Sequence, residues 1–175
     1  MRLTVSSRGR WIAAAAIAVG SLVMVSLLWG LQHAALSNPP LLGRAAPHLA
    51  IQTLAGQEVR VWDLQGRPVV VNFWASWCGS CLAEGGVISN AAGAHLDVAF
   101  VGADNQDTAS GFRAYEGLHA HPYPAGPIVV GTYQSYGVAG LPETFFINAQ
   151  GLVVASFAGP LDAPTLDHYL GLIAT

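Results

Sequence analysis

The run Pro68-Val-Val-Val-Asn-Phe-Trp74 is almost wholly apolar and stops just short of Cys78, the first of only two cysteines in the chain. A run this short and rich in valine reads as a strand covered on both faces, because alternation is lost when neither face meets water. Beyond it, Cys81, Leu82, Gly85, Ile88 and Ala92 recur at helical spacing. Cys78 and Cys81 therefore open a helix that follows a buried strand. Such a strand needs helices over its faces, which confines the chain to layered α/β arrangements.

The flanking sequence agrees. "HLAIQTLAGQEVRVW" alternates about Ala55-Gly56 and predicts two short strands in a hairpin. "LDVAFVGAD" reads as another buried strand, "DTASGFRAYEGL" as a helix capped by Asp107, and "TYQSYGV" as a short helical segment. "ETFFIN" and "LVVASFA" form an antiparallel hairpin, and a last helix over 163–173 packs through Leu166, Tyr169, Leu170 and Ile173. His119 and His121 are placed in a solvated loop beside Pro122 and Pro124, and 111–126 receives no chemistry.

A hydrophobic content of 53% and mean hydropathy of +0.45 exceed what this one domain needs, and the excess is local. Trp11 to Leu31 carries no charge over 21 residues, enough to cross a hydrocarbon core of roughly 30 Å as a helix. Arg2, Arg8 and Arg10 precede it, which keeps residues 1–10 in the cytoplasm and sends the remainder outward. The expectation is a cytoplasmic N-terminus over 1–10, an anchor over 11–31, a linker over 32–46 and one extracytoplasmic domain over 47–175. A cleaved signal peptide is the alternative, but "LQHAALSNPP" offers no convincing cleavage site. All ten acids and only four of the seven arginines lie after the anchor, which excludes nucleic acid as a partner.

Cys-x-x-Cys at a helix start places Cys78 where free N–H groups and the helix dipole favour a thiolate. Cys78 is then the attacking sulfur and Cys81 the resolving one. A structural zinc site needs about four ligands, and His95, the nearest histidine in sequence, is far from Cys81. A purely structural disulfide closing so short a loop would constrain little of the unfolded chain. Redox chemistry is the reading that remains. Trp74 is assigned to packing and Trp77 to the surface on which a client docks.

These residues resemble a family. "VVVNFWASWCGSC" is similar to the active-site strand and turn of the thioredoxin superfamily, and "GRAAPHLAIQTLAGQEVRVWDLQGRPVVVNFWASWC" resembles its exported, membrane-anchored TlpA/ResA-like branch. The chain looks closest to the DsbE/CcmG-like cytochrome c maturation proteins. The resemblance implies a thioredoxin-like α/β fold, a mixed sheet flanked by helices with an N-terminal β-hairpin. From "YGVAGLPETFFINAQG" it implies a cis bond at Pro142, with Leu141 presenting its backbone to substrate and Glu143 marking the cytochrome c subgroup. Ordinary thioredoxins carry a buried aspartate where this chain has Asn72, whereas Glu84 matches the glutamate of the exported branch. A carboxylate buried near Cys81 could raise the resolving thiol's pKa or carry its proton. The family's prolines are replaced by Gly79-Ser80 between the cysteines and by Gly85-Gly86 after the glutamate, so no redox potential carries over.

What the resemblance implies for function is a thiol–disulfide oxidoreductase of the bacterial cytoplasmic membrane, its domain in the periplasm, working without a cofactor. Its client would be the haem-binding cysteines of apocytochrome c and its electron donor a membrane thiol reductase. Reduction of copper-site cysteines, or general disulfide exchange, is the alternative within the same chemistry. A peroxiredoxin-type peroxidase is disfavoured because Val71 and Ala75 stand where its peroxide pocket needs other residues. A metal carrier is disfavoured by the shortage of ligands.

Overall fold

A computed structural model of the chain describes residues 11, 15–26 and 41–174. Residues 15–26 are helical, and every described side chain there is exposed. The remainder of the expected anchor, the N-terminal residues 1–10 and the first part of the expected linker lie outside the described residues. Among the described residues, no helix is long and apolar enough to cross a membrane.

From residue 41 onward the chain builds a seven-stranded mixed sheet. Its strands are β1 (Ala50–Gln52), β2 (Glu58–Arg60), β3 (Val69–Trp74), β4 (Ala99–Asp104), β5 (Ala125–Val130), β6 (Glu143–Ile147) and β7 (Val153–Ala158), and its helices are α1 (Gly79–Ala94), α2 (Ala109–Leu118) and α3 (Ala163–Ile173). The spatial order is β2-β1-β5-β4-β3-β6-β7. β3–β4 and β4–β5 pair parallel, and the other neighbours pair antiparallel.

All six residues of β3 are buried, as the unbroken apolar run requires. Val69, Val71 and Phe73 face a core with Val101, Phe145 and Ile147, roofed by Leu49 and Ile51. Val70 faces the opposite core, where Ile88 of α1 meets Leu166, Leu170 and Ile173 of α3. Removing each of these large side chains from water contributes roughly 1.5–3 kcal/mol. α3 starts where Asp162 accepts a hydrogen bond from the Thr165 N–H at 2.9 Å, just before Pro164.

Four local readings need correction. β5 does not read as a strand in the sequence, because Gly126 and Pro127 interrupt its pattern. Gly126 is there because a Cβ would lie 1.9 Å from the Gln52 carbonyl oxygen, so only glycine lets this strand approach β1. Residues 41–46 do not behave as a free tether: Gly43 and Ala46 donate to the carbonyls of Val153 and Gly151 at 2.8 and 2.9 Å. In α1, Leu82 is 43% exposed, and the inward stripe is Cys81, Glu84 and Ile88. Finally, Thr108 and not Asp107 caps α2, its hydroxyl accepting from the Gly111 N–H at 3.0 Å.

Candidate active site

Cys78 is the N-cap of α1 and is joined to Cys81 by a disulfide, with the Cα atoms 5.2 Å apart. The Cys81 N–H donates to Cys78 Sγ at 3.2 Å, and Ser80 Oγ lies 3.4 Å from the same sulfur. After reduction these donors and the helix dipole favour a thiolate at Cys78. Trp74, Ala75, Phe112 and Ala125 pack beneath the pair in a small core of their own.

On one side of the disulfide the polar groups are fully paired. Glu84 is 1% exposed, one helical turn beyond Cys81 on the same face of α1. Its Oε1 accepts from Asn72 Nδ2 at 2.8 Å, and its Oε2 accepts from the Leu161 N–H at 2.8 Å. Asn72 Nδ2 donates also to Thr144 Oγ1 at 3.0 Å, across the register pair that joins β3 to β6. Burial pushes the Glu84 carboxyl up from the usual carboxylate range, and the bonds from Leu161 and Asn72 partly oppose it. The acid absent from β3 is thus supplied by α1, and Asn72 provides the N–H that a second carboxylate could not.

The other side was not legible in the sequence. Residues 104–107 are strapped to 74–77 at three points. The Asn105 N–H donates to the Trp74 carbonyl at 2.9 Å, the Ser76 N–H to Asp107 Oδ2 at 2.7 Å, and Trp77 Nε1 to the Gln106 carbonyl at 3.0 Å. Gln106 takes a φ of 57°, the only positive value at a non-glycine among the described residues. The left-handed conformation costs such a residue roughly 1–2 kcal/mol, and Gln106 Nε2 donates to Tyr133 Oη at 2.7 Å.

Asp104, at the end of β4, pairs in register with Trp74 and is 6% exposed. Trp74 Nε1 and Asp104 Oδ1 are buried side-chain atoms without a hydrogen-bond partner among the described residues. Burial first, and then the neighbouring Asp107 carboxylate, push Asp104 up to about 7. The indole of Trp74 lies over Gly102, where a Cβ would come within 3.1 Å of Nε1. His121 packs against it with its ring tilted, 4.6 Å between centroids, and hydrogen-bonds Glu116. That histidine is packed under the site rather than solvated: its side chain is 7% exposed. The one sequence signal was an aspartate ending an otherwise apolar strand.

The remaining expected residues gather at the same end of the sheet. The Leu141–Pro142 bond is cis, and Leu141 packs on the small core beneath the disulfide. Glu143 opens β6, where its Oε2 accepts from the Ala139 N–H at 3.4 Å and burial raises its pKa. Trp77 is 61% exposed beside Cys78, whereas Trp74 is 3% exposed. Among the described residues no cluster of His, Cys, Asp or Glu is arranged to hold a metal ion.

A disulfide at the first turn of a helix fed by a central strand, with a carboxylate buried one turn on, belongs to the thiol–disulfide oxidoreductases of thioredoxin-like fold. Comparison with known proteins agrees. The Redoxin family model matches residues 41–171. The chain is 30% identical over 161 residues to the thiol:disulfide interchange protein DsbE of Pseudomonas fluorescens biotype C, covering 87% of each chain. It is 27% identical over 135 residues to the thiol-disulfide oxidoreductase ResA of Bacillus thuringiensis (strain Al Hakam), covering 74% of this chain and 76% of that one. A solved thiol:disulfide interchange protein of the thioredoxin family from Chlorobium tepidum TLS superposes with a TM-score of 0.65 at 22% identity, over 75% of this chain and 96% of the other. The chain belongs to the Redoxin family, in the ResA/DsbE-like branch of the thioredoxin superfamily.

Proposed function

We propose that the protein is a membrane-anchored, extracytoplasmic reductant that keeps the haem-binding cysteines of apocytochrome c reduced. The observation that carries the reading is the buried Glu84, one turn beyond Cys81 and held by Asn72 and the Leu161 N–H. The name DsbE among the relatives supports a thiol:disulfide interchange partner. The exposed apolar helix over 15–26 supports the anchor, since such a surface is otherwise costly in water.

In this mechanism the Cys78 thiolate attacks one sulfur of the client disulfide. A Cys78–client bond forms, and the other client sulfur leaves as a thiolate that takes a proton from solvent. Cys81 passes its proton to ionised Glu84 and attacks Cys78 Sγ, forming the Cys78–Cys81 bond. The second client sulfur leaves and is protonated at the expense of Glu84. Two electrons have moved from protein to client, and a membrane dithiol restores the reduced pair. Trp77, exposed beside Cys78, and the backbone of Leu141 before cis-Pro142 form the client surface, with Glu143 at its edge.

Replacing Cys81 with serine stops the second step and leaves the client on Cys78. Mass spectrometry of the trapped adducts is expected to find apocytochrome c. Recovery of copper-site proteins or a broad set of secreted proteins, with no cytochrome c precursor, overturns the client assignment. Recovery of no mixed disulfide overturns the reductant reading altogether.

A further inference from the structure

The strap over 104–107 bears directly on the redox pair. Asp107 holds the Ser76 N–H at 2.7 Å, two residues before Cys78, and Asp104 and Asp107 line one cleft, where the Asp107 carboxylate disfavours charge on Asp104. Beside the Asp107 carboxylate the buried Asp104 cannot ionise without repulsion, which favours its protonated form. Asp104 meets no compensating cation at its buried oxygen, since Oδ1 has no partner among the described residues. Both acids line a cleft at the sheet end with Gln52, Thr53, Phe112 and Arg113, which gives the Asp104 proton a way to solvent.

We propose that Asp104 is a positioning residue of the redox pair: buried beside Asp107 it holds a proton, and loss of that proton sets a second negative charge behind the Ser76–Cys78 turn and disfavours the reduced, thiolate form of Cys78. Other charged or titratable groups face the site. On α2 these are Arg113, which lines the cleft, and Glu116, which adds to the negative field at Asp104. His121 is hydrogen-bonded to Glu116, and Tyr115 and Tyr123 pack around its ring. None of them touches the Ser76 N–H, so Asp107 is the connection between Asp104 and the cysteine turn. Glu84 lies on the same face of the sheet but toward β6, where Asn72 and the Leu161 N–H hold it through a separate set of partners. Asp104 titrates at about 7 in the disulfide form. A thiolate nearby makes that proton harder to lose, so by linkage the ease of reducing the disulfide must depend on whether Asp104 is charged.

The test is the thiol–disulfide equilibrium of the full chain with glutathione, read as the fraction of Cys78–Cys81 reduced across pH. The inference rests on this pair exchanging reversibly and not on the identity of the client. With Asp104→Asn, the reduced form is expected to be favoured about threefold more than in the unaltered protein near pH 8.5, corresponding to half a pKa unit, and equally near pH 6. A merely structural role would change the melting temperature without removing the pH-dependent step. Identical pH curves for the two proteins overturn the role of Asp104 alone, and failure of the unaltered protein to exchange at any pH overturns the redox reading with it. If Asp104→Asn does not fold, Asp107→Asn keeps an oxygen for the Ser76 N–H but removes the charge. The step then moves to lower pH, and an unmoved step overturns the proposal.

Discussion

The two flanks of the Cys78–Cys81 disulfide each bury an acid, but in opposite states of satisfaction. Glu84 is held by two N–H donors, from Asn72 and Leu161, and the donor that pairs it is itself anchored to Thr144. Asp104, beside Asp107, leaves Oδ1 and the neighbouring Trp74 Nε1 without partners among the described residues. A carboxylate with two donors can be buried near a thiol and still ionise, so it can receive a proton at the moment of chemistry. A buried carboxyl with one oxygen unpartnered and a second acid beside it keeps its proton until the pH approaches neutrality. In the roles proposed above, one flank serves proton transfer and the other sets the charge behind the attacking sulfur.

The largest break in that contrast comes from giving the satisfied flank a second acid. Asn72→Asp would set two carboxylates 2.8 Å apart in place of a donor and an acceptor. It is expected to cost about 3 kcal/mol at pH 8 and less at pH 5, by urea unfolding of the oxidised protein. Equal loss at both pH values would mean that Asn72 acts by shape alone.

Glu84→Gln is next. A carboxamide has one acceptor oxygen for two buried donors, so either Asn72 Nδ2 or the Leu161 N–H loses its partner, at about 1–3 kcal/mol. Reduction of a model disulfide should slow about tenfold or more in stopped-flow assays, with the resolving step affected rather than the first attack.

Asp104→Asn should act with the opposite sign. The folded-state pKa of about 7 lies above the ordinary aspartate value of 3.8, so the folded protein binds the extra proton over that interval. Stability therefore falls as pH rises through it, and the loss is complete above about 7. Asparagine removes this dependence and should stabilise the protein by about 1–2 kcal/mol at pH 8, with little effect near pH 4, by thermal unfolding. The smallest effect is expected on α1 itself. Leu82→Ala should change stability by less than about 0.5 kcal/mol, because the side chain is 43% exposed, whereas Ile88→Ala at 1% exposure should cost about 2–4 kcal/mol.

Much of this was legible from local pattern. The apolar run of β3, the two hairpins, α3 and the helix after Cys78 follow from periodicity, because each buries a face whose spacing is written in consecutive residues. The inward turn of α1 was misjudged because hydrophobicity pointed to Leu82, while the core position went to Glu84, whose burial depends on donors elsewhere. β5 escaped notice because its glycine and proline answer to β1 and to an exposed stretch, not to strand propensity.

The chemistry divides along the same line. Cys78-Gly-Ser-Cys81 after a buried strand was sufficient to place a redox disulfide at a helix start with Cys78 as the cap, the position that favours a thiolate. The partners of those atoms lie far along the chain: Leu161 meets Glu84 across 77 residues, and Asp107 meets Ser76 across 31. No periodicity encodes such pairs. They arise when β3 and β4 bring their C-terminal ends side by side and α1 settles over them, where hydrogen-bond geometry and loss of water decide which carboxyl ionises.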